Sequence, residues 1–126
     1  MTAATSRIDE RQAAHPRDVR GYDTEALRQD FLIECIFVQG EIALTYSHYD
    51  RMIVGGAMPT GTALTLEAIK PTGTKNFLDR RELIAVNVGG PGQVRTGAAS
   101  HALATRDMIY IGMGEKEVSF ASDSGD

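Results

Sequence analysis

Residues 41–56, EIALTYSHYDRMIVGG, contain the pattern that decides the fold. Ile42, Leu44 and Tyr46 alternate with smaller or polar residues, and this period of two predicts a half-buried β-strand. Residues 50–51 are predicted to turn the chain into a second apolar run, which two glycines end. The stretch therefore predicts two strands joined by a tight turn.

Downstream of this hairpin the chain consists of short apolar runs separated by glycine and proline. The strongest strand is predicted at residues 83–88, and it ends at the GGPG sequence of residues 89–92. Further strands are predicted at residues 63–69, 93–96, 100–104, 108–111 and 117–121. Many short strands at close spacing predict a mainly β fold, an antiparallel β-sandwich or small barrel.

Upstream, the sequence predicts one short helix that begins near Asp23 or Thr24. Either residue is a suitable N-cap, and Leu27 and Phe31 fall on one face at helical spacing. Residues 1–22 are rich in charge and lack an apolar period, so they predict a flexible N-terminal arm. An arm that lies on a partner subunit is the alternative. Residues 23–126 are then a single β domain.

Composition excludes several classes of protein. The 126 residues are 42% hydrophobic, and 13 basic residues against 17 acidic ones give a net charge of −4 without a basic block, so nucleic-acid binding is not expected. No stretch approaches the length of a membrane span, and the first residues lack the apolar segment of a signal peptide. A single cysteine, Cys35, excludes an internal disulfide. We expect a soluble, single-domain, cytoplasmic protein.

The histidines and the cysteine form no recognisable catalytic or metal motif. His15, His48 and His101 are widely separated, whereas a zinc or iron site needs three or four converging donors. Cys35 lies in an apolar run, which predicts a small buried hydrophobe. His48 continues the apolar face of the first strand and precedes Arg51, so it is either a polar group in a ligand pocket or a hydrogen-bonded histidine of the core or of an interface.

The sequence Asp79-Arg80-Arg81-Glu82 immediately precedes the strongest predicted strand. Two guanidinium groups are suited to clamp a substrate carboxylate. The alternative is that the arginines pair with Asp79, Glu82 or a neighbouring subunit. Weak substrate-binding candidates are thus His48, Arg51, Arg80, Arg81 and Glu82.

Three blocks together carry a resemblance to a known family. They are DFLIECIFVQGEIALTYSHYDRMIVGGAMPT (30–60), FLDRRELIAVNVGGPGQV (77–94) and RDMIYIGMGEKEVSFAS (106–122). They are similar to the N-terminal half of the 5-keto-4-deoxyuronate isomerases, also called 4-deoxy-L-threo-5-hexosulose-uronate ketol-isomerases. The resemblance covers nearly everything after residue 22.

The resemblance implies a bicupin, in which each half of the chain is a cupin-like jelly-roll barrel, and a homo-oligomer that is typically a hexamer. It implies an isomerase of pectin and uronate catabolism that converts 5-dehydro-4-deoxy-D-glucuronate to 3-deoxy-D-glycero-2,5-hexodiulosonate. It also implies a zinc ion held by three histidines and a glutamate of the C-terminal half. The sugar-acid substrate and that C-terminal half are the expected partners.

Compared with the metal-binding motifs of a cupin, this chain retains some of the motif residues but lacks the histidines. Glu82 retains the end of the first motif, but Asn76 and Leu78 occupy the expected histidine positions, and Glu117 replaces the histidine of the second motif. No metal ligand and no catalytic residue is therefore assigned in this chain, which is predicted to be inactive alone. A non-catalytic cupin assembly or sugar-binding domain is the alternative function.

Overall fold

The computed structural model of this protein describes residues 6–124, and within them β-strands predominate. The nine strands described are β1 Ser6–Arg11, β2 Ile42–Ser47, β3 Ile53–Ala57, β4 Leu64–Thr65, β5 Leu83–Val86, β6 Gly92–Thr96, β7 Ala99–Leu103, β8 Met108–Ile111 and β9 Val118–Ser122. Two short helices precede β2: α1 Pro16–Val19 and α2 Thr24–Phe31. A 3₁₀ turn spans Lys70–Thr72.

The strands form three sheets, in the orders β1-β2-β3, β4-β9-β6-β7 and β5-β8. All pairs are antiparallel except β1 with β2, which run parallel. The mainly β, sandwich-type fold predicted from the sequence is confirmed. The predicted strand at residues 63–69 is shorter than expected, since only Leu64–Thr65 pair with β9.

Strand β1 corrects part of the prediction for residues 1–22. Its six residues pair in register with β2, from Ser6 beside Ile42 to Arg11 beside Ser47, and residues 16–19 form α1. The peptide N–H of His48 also donates to the carbonyl of Arg11 (2.9 Å). A flexible arm is therefore the wrong description of residues 6–11. Residues 1–5 of the predicted arm lie outside the described residues, and a domain boundary at residue 23 stays a prediction.

Helix α2 forms where the sequence predicts it. Asp23 is the N-cap, and its Oδ1 accepts a hydrogen bond from the Ala26 N–H (2.9 Å), which satisfies one of the free amides of the first turn. The apolar face of the helix stays half-exposed at Leu27 and Phe31. The Phe31 ring contacts the Tyr49 ring at a centroid distance of 6.1 Å, so α2 packs over the hairpin that follows β2.

The β2–β3 hairpin is confirmed, and its turn has an unusual backbone. Asp50 and Arg51 both adopt positive φ angles, 52° and 53°, in a turn that the Met52 N–H closes by donating to the Tyr49 carbonyl (3.3 Å). The Ser47 N–H donates to the Met52 carbonyl (2.8 Å) across the base of this turn. The turn therefore fixes where the side chains at the end of β2 lie.

The hydrophobic core combines side chains of β2, β4, β6, β8 and β9 with side chains of the segment between β4 and β5. It contains Ile42, Leu44, Tyr46, Leu64, Leu66, Ile69, Phe77, Leu78, Val94, Ile111 and Val118. Strand β2 is buried at five consecutive residues, Ile42–Tyr46, so both of its faces are covered rather than one. The most deeply buried side chain is Leu78, which is 1% exposed. In the described residues, no helix is long and apolar enough to cross a membrane.

Candidate functional site

A cavity of about 1070 Å³ opens between β3 and β5. Core side chains such as Leu44, Phe77 and Val94 form its floor, and every residue of β3 and β5 contributes to its wall. Most of this lining is apolar. Binding pockets are commonly apolar with a few polar groups that orient the ligand, so the charged side chains of the wall are the candidates for ligand contacts.

Charged side chains gather at one end of the cavity. Asp50, Arg80, Arg81 and Glu82 all line it. Three of the five sequence-predicted binding candidates are thus brought together here. His48 and Arg51 belong to the neighbouring hairpin turn and are not part of the cavity wall.

Arg81 is held in place by two contacts. Its Nη1 donates to the Arg51 carbonyl (2.7 Å), and its guanidinium carbon lies 5.3 Å from the centroid of the Tyr46 ring. A cation over an aromatic face is attracted by the ring quadrupole. Arg81 therefore connects the chain segment before β5 to the hairpin turn after β2.

Arg80 differs from Arg81 because no hydrogen bond or ion pair within residues 6–124 engages its guanidinium. The carboxylates that were its alternative partners are used elsewhere. Asp79 accepts from the backbone N–H and side-chain Nδ2 of Asn76 (2.9 and 3.0 Å), and these hydrogen bonds lower the pKa of Asp79, the backbone bond most. Glu82 accepts from the Tyr110 hydroxyl (2.7 Å). Arg80 is thus the cation at this cavity that is available to an anion.

The Glu82–Tyr110 hydrogen bond joins β5 to β8 at the charged end. The Glu82 carboxylate, which accepts this hydrogen bond from the phenol, raises the pKa of Tyr110, chiefly through the hydrogen bond and then through charge. The phenol therefore stays protonated at neutral pH. It fixes Glu82 as an acceptor at the wall of the cavity.

His48 is paired outside the cavity. Its Nε2 lies 2.8 Å from Glu10 Oε1, and its ring packs against Tyr46 edge-on at 5.0 Å. The hydrogen-bonded alternative predicted for His48 matches this arrangement, although the side chain is 35% exposed rather than buried in the core. The partner, Glu10, was missed because it belongs to β1, which carries no apolar periodicity.

The other two histidines have local structural roles. His15 caps α1, its Nδ1 accepting from the Arg17 N–H (3.0 Å), and His101 Nε2 lies 3.2 Å from the Thr96 hydroxyl within the β6–β7 hairpin. Cys35, predicted to be buried, is exposed. Residues 32–38 form no regular secondary structure, and Ile36 and Phe37 lie close to Gly56 of β3.

The residues at the cupin metal positions do not fit a metal ion. Asn76 turns its amide to Asp79, Leu78 is core, and Glu82 bonds Tyr110. In residues 6–124 no three histidine, cysteine or acidic side chains converge as a metal-binding group. This part of the chain therefore supplies no set of donors for a metal ion.

Comparison with known proteins adds the decisive observation. A 4-deoxy-L-threo-5-hexosulose-uronate ketol-isomerase 2 from Rhizobium meliloti (strain 1021) is 55% identical over 123 residues, which are 98% of this chain and 43% of that protein. The predicted resemblance to this family is confirmed. A ketol-isomerase 1 of the same name from Bacteroides thetaiotaomicron is 53% identical over 112 residues, 89% of this chain and 40% of that protein. A ketol-isomerase from Formosa agariphila is 46% identical over 119 residues, 94% of this chain and 42% of that protein.

The chain thus spans about two fifths of the length of the 4-deoxy-L-threo-5-hexosulose-uronate ketol-isomerases it matches. No family model matches the sequence. The similarity extends over nearly the whole chain, including the charged end of the cavity and the β2–β3 hairpin.

Proposed function

We propose that this chain is part of a ketol-isomerase of uronate catabolism, which converts 5-dehydro-4-deoxy-D-glucuronate to 3-deoxy-D-glycero-2,5-hexodiulosonate. The observation that carries the proposal is the 46–55% identity to proteins of that name over at least 89% of this chain. Because the chain covers only part of those proteins, the activity is assigned to the whole enzyme. We further propose that this enzyme is cytoplasmic and a homo-oligomer, with a hexamer implied by the family resemblance.

The reaction is an internal redox exchange that needs no external oxidant or reductant. A base removes the proton from the hydroxyl-bearing carbon, an enediol forms, and the neighbouring carbonyl carbon receives a proton while the hydroxyl proton moves between the oxygens. Substrate and product are therefore isomers. The described residues provide neither an assigned base nor a metal site for these steps, so we assign the proton transfer to the rest of the enzyme.

In this chain, the proposed role of Arg80 is to bind the substrate carboxylate. Arg80 lines the cavity, and its guanidinium has no hydrogen-bond or ion-pair partner in the described part of the chain. A guanidinium binds a carboxylate through two parallel hydrogen bonds, which lysine reproduces poorly. Arg81 supports the same end of the cavity through its bond to Arg51 and its contact with Tyr46.

The assay that tests the function follows loss of the substrate by ¹H NMR. We expect negligible turnover and no stoichiometric zinc from the purified 126-residue chain. Adding the remaining three fifths of the Rhizobium meliloti relative as a separate polypeptide is expected to produce turnover. Robust turnover by this chain alone would contradict the proposal that the chemistry lies elsewhere.

A non-catalytic sugar-binding domain is the second candidate, favoured by the cavity and the available Arg80. D-glucuronate is a suitable probe, because it carries a carboxylate and is not the substrate. If Arg80 binds it, Arg80→Gln weakens binding by about tenfold or more, the loss expected for a charge-assisted contact. The matched control is Arg95→Gln, since Arg95 is exposed on β6 and does not line the cavity. Binding that both variants leave unchanged would remove Arg80 from the site.

A further inference from the structure

The cavity wall has a feature that a sugar acid does not explain. Side chains alternate between the two faces of a strand, yet every residue of β3 (Ile53–Ala57) and of β5 (Leu83–Val86) lines this one cavity. A cavity reaches every residue of a strand when it runs along the strand's edge. The edges of β3 and β5 therefore border the opening.

Both of these edges lack a partner strand within residues 6–124. Strand β3 pairs with β2 alone, and β5 pairs with β8 alone. No backbone hydrogen bond joins either strand to a third strand in that part of the chain. The two sheets thus approach one another with a row of free peptide groups on each side of the cavity.

The register identifies the free amides of β3. The Ser47 N–H donates to the Met52 carbonyl, so this opposed pair is hydrogen-bonded, and bonded and non-bonded pairs alternate along an antiparallel ladder. The N–H groups of Ile53, Gly55 and Ala57 consequently point away from β2, towards the opening.

The same reasoning identifies the free amides of β5. The Asn87 N–H donates to the Asp107 carbonyl (2.9 Å), which places Val86 and Ile84 in non-bonded pairs with Met108 and Tyr110. The N–H groups of Ile84 and Val86 therefore also point towards the opening. Their side chains are 61% and 53% exposed, so apolar surface accompanies the free edge.

We propose that the opening between β3 and β5 is a docking site for an extended peptide strand with apolar side chains at every second position. Two rows of free amides and carbonyls are satisfied by another backbone, as in strand addition to a sheet edge. The apolar floor, formed by side chains such as Ile42, Leu66 and Phe77, takes the inward-facing side chains.

A small sugar acid does not match these strand edges, because the sugar acid has no repeating row of hydrogen-bond donors and acceptors. It fits the charged end near Arg80 instead, so the two proposals concern different parts of the cavity and fail independently. A source for the strand exists in the relatives, whose length is more than twice the region matched here.

The test uses the peptide KTVTVTVTK and the intact 126-residue chain, with amide exchange in D₂O followed by NMR. At millimolar peptide, the exchange of Ile53, Gly55, Ala57, Ile84 and Val86 is expected to slow by about tenfold or more, the effect of forming strand hydrogen bonds. The composition-matched peptide KTTTTVVVK lacks the alternation and is expected to protect less. KTVTVTVTK methylated at every backbone nitrogen is expected to protect nothing.

Three outcomes would overturn the proposal. They are no protection by KTVTVTVTK, equal protection by its methylated form, and protection of the same amides by D-glucuronate without peptide. Protection that rises with protein concentration in the absence of peptide would make a second copy the occupant, and would also overturn it.

A pair of variants supplies a matched control. Val86→Lys places a charge at the opening and is expected to weaken the peptide effect by about tenfold, since charged residues block edge pairing. Met108→Lys changes the residue opposite Val86, which is 65% exposed and does not line the cavity. It is expected to preserve the effect. If Met108→Lys abolishes the effect and Val86→Lys does not, the docking site is misplaced.

Discussion

Strands β2 and β5 are both apolar in sequence, but they differ in burial and in the number of strands that they pair with. Strand β2 lies between β1 and β3 and is buried from Ile42 to Tyr46. Within residues 6–124, strand β5 pairs with β8 alone, and its Ile84 and Val86 side chains are more than half exposed. An apolar sequence shows that burying the strand would lower the free energy of the protein. It does not show that other residues of this chain bury it.

The exposed side chains of β5 and β8 also face each other in pairs. Ile84 lies opposite Tyr110, and Val86 lies opposite Met108, so these four side chains share one face of the β5–β8 sheet. A two-stranded sheet is marginally stable by itself, so its inner face must supply most of its stability. Ile111, which is buried, and the half-buried Leu83 provide that packing.

The largest predicted difference comes from one truncation made in each strand. Ile42→Ala is expected to lower the free energy of unfolding by about 2–5 kcal/mol, because Ile42 is 2% exposed and leaves a cavity. Ile84→Ala is expected to cost less than about 1 kcal/mol, since Ile84 is 61% exposed. Urea unfolding of both variants measures this. Equal losses would mean that β5 is as well covered as β2.

A glycine pair tests how closely the elements around β2 and β3 approach each other. A Cβ at Gly55 would overlap the Ala43 carbonyl oxygen and the Leu44 side chain, so Gly55→Ala is expected to cost about 1–3 kcal/mol. Gly90→Ala, after β5, meets no atom within 4 Å and is expected to be close to neutral. Thermal unfolding compares them, and a neutral Gly55→Ala would contradict the close packing at β3.

The Glu10–His48 pair is one of the contacts that join β1 to the chain after β2, and its contribution to stability can be measured. Glu10→Gln removes the carboxylate that lies 2.8 Å from His48, and both side chains are partly exposed, so the expected loss is at most about 1 kcal/mol. Glu117→Gln is the control, because its exposed side chain has no ion pair within the described residues. A loss of several kcal/mol would show that this pair, rather than the β1–β2 ladder, holds β1.

The smallest effect is expected at Asp79, and it depends on pH. Hydrogen bonds from Asn76 lower the pKa of Asp79 in the folded protein, so the ionised carboxylate stabilises the fold above the ordinary pKa of about 3.9. This contribution is lost as the pH falls through the lowered folded-state pKa. The difference in free energy of unfolding between the Asp79→Asn variant and the natural protein should therefore become smaller as the pH is lowered. A difference that grows on acidification would contradict the assignment.

Local patterns account for most of what the sequence predicted correctly. The strand over residues 42–47, the turn at Asp50 and Arg51 and the Asp23 cap depend on neighbours in the chain, and all three are confirmed. The half-buried character that the alternation predicted for this strand is wrong, because Ile42–Tyr46 are buried on both faces. Strand β1 escaped prediction because SRIDER has no apolar period and forms its ladder with a strand more than thirty residues away. Its stability comes from pairing with β2, which a local pattern does not record.

The candidate site was predicted in the same uneven way. Arg80, Arg81 and Glu82 were identified from residue type, since two adjacent guanidinium groups are suited to bind a carboxylate. Their partners were not predictable, because Arg81 reaches a carbonyl 30 residues away and Glu82 accepts from a tyrosine 28 residues away. The open edges of β3 and β5 depend on the absence of pairing in the described chain, which no single segment reveals.

Amide exchange of the 126-residue chain alone tests the contrast between the covered and open strands most directly. In D₂O without peptide, the amides of Ala43 and Thr45 in β2 are expected to persist far longer than those of Ile84 and Val86 in β5. Ala85, whose N–H faces β8, serves as an internal reference for the same strand. Equally slow exchange at Ile84 and Val86 would contradict an open edge on β5.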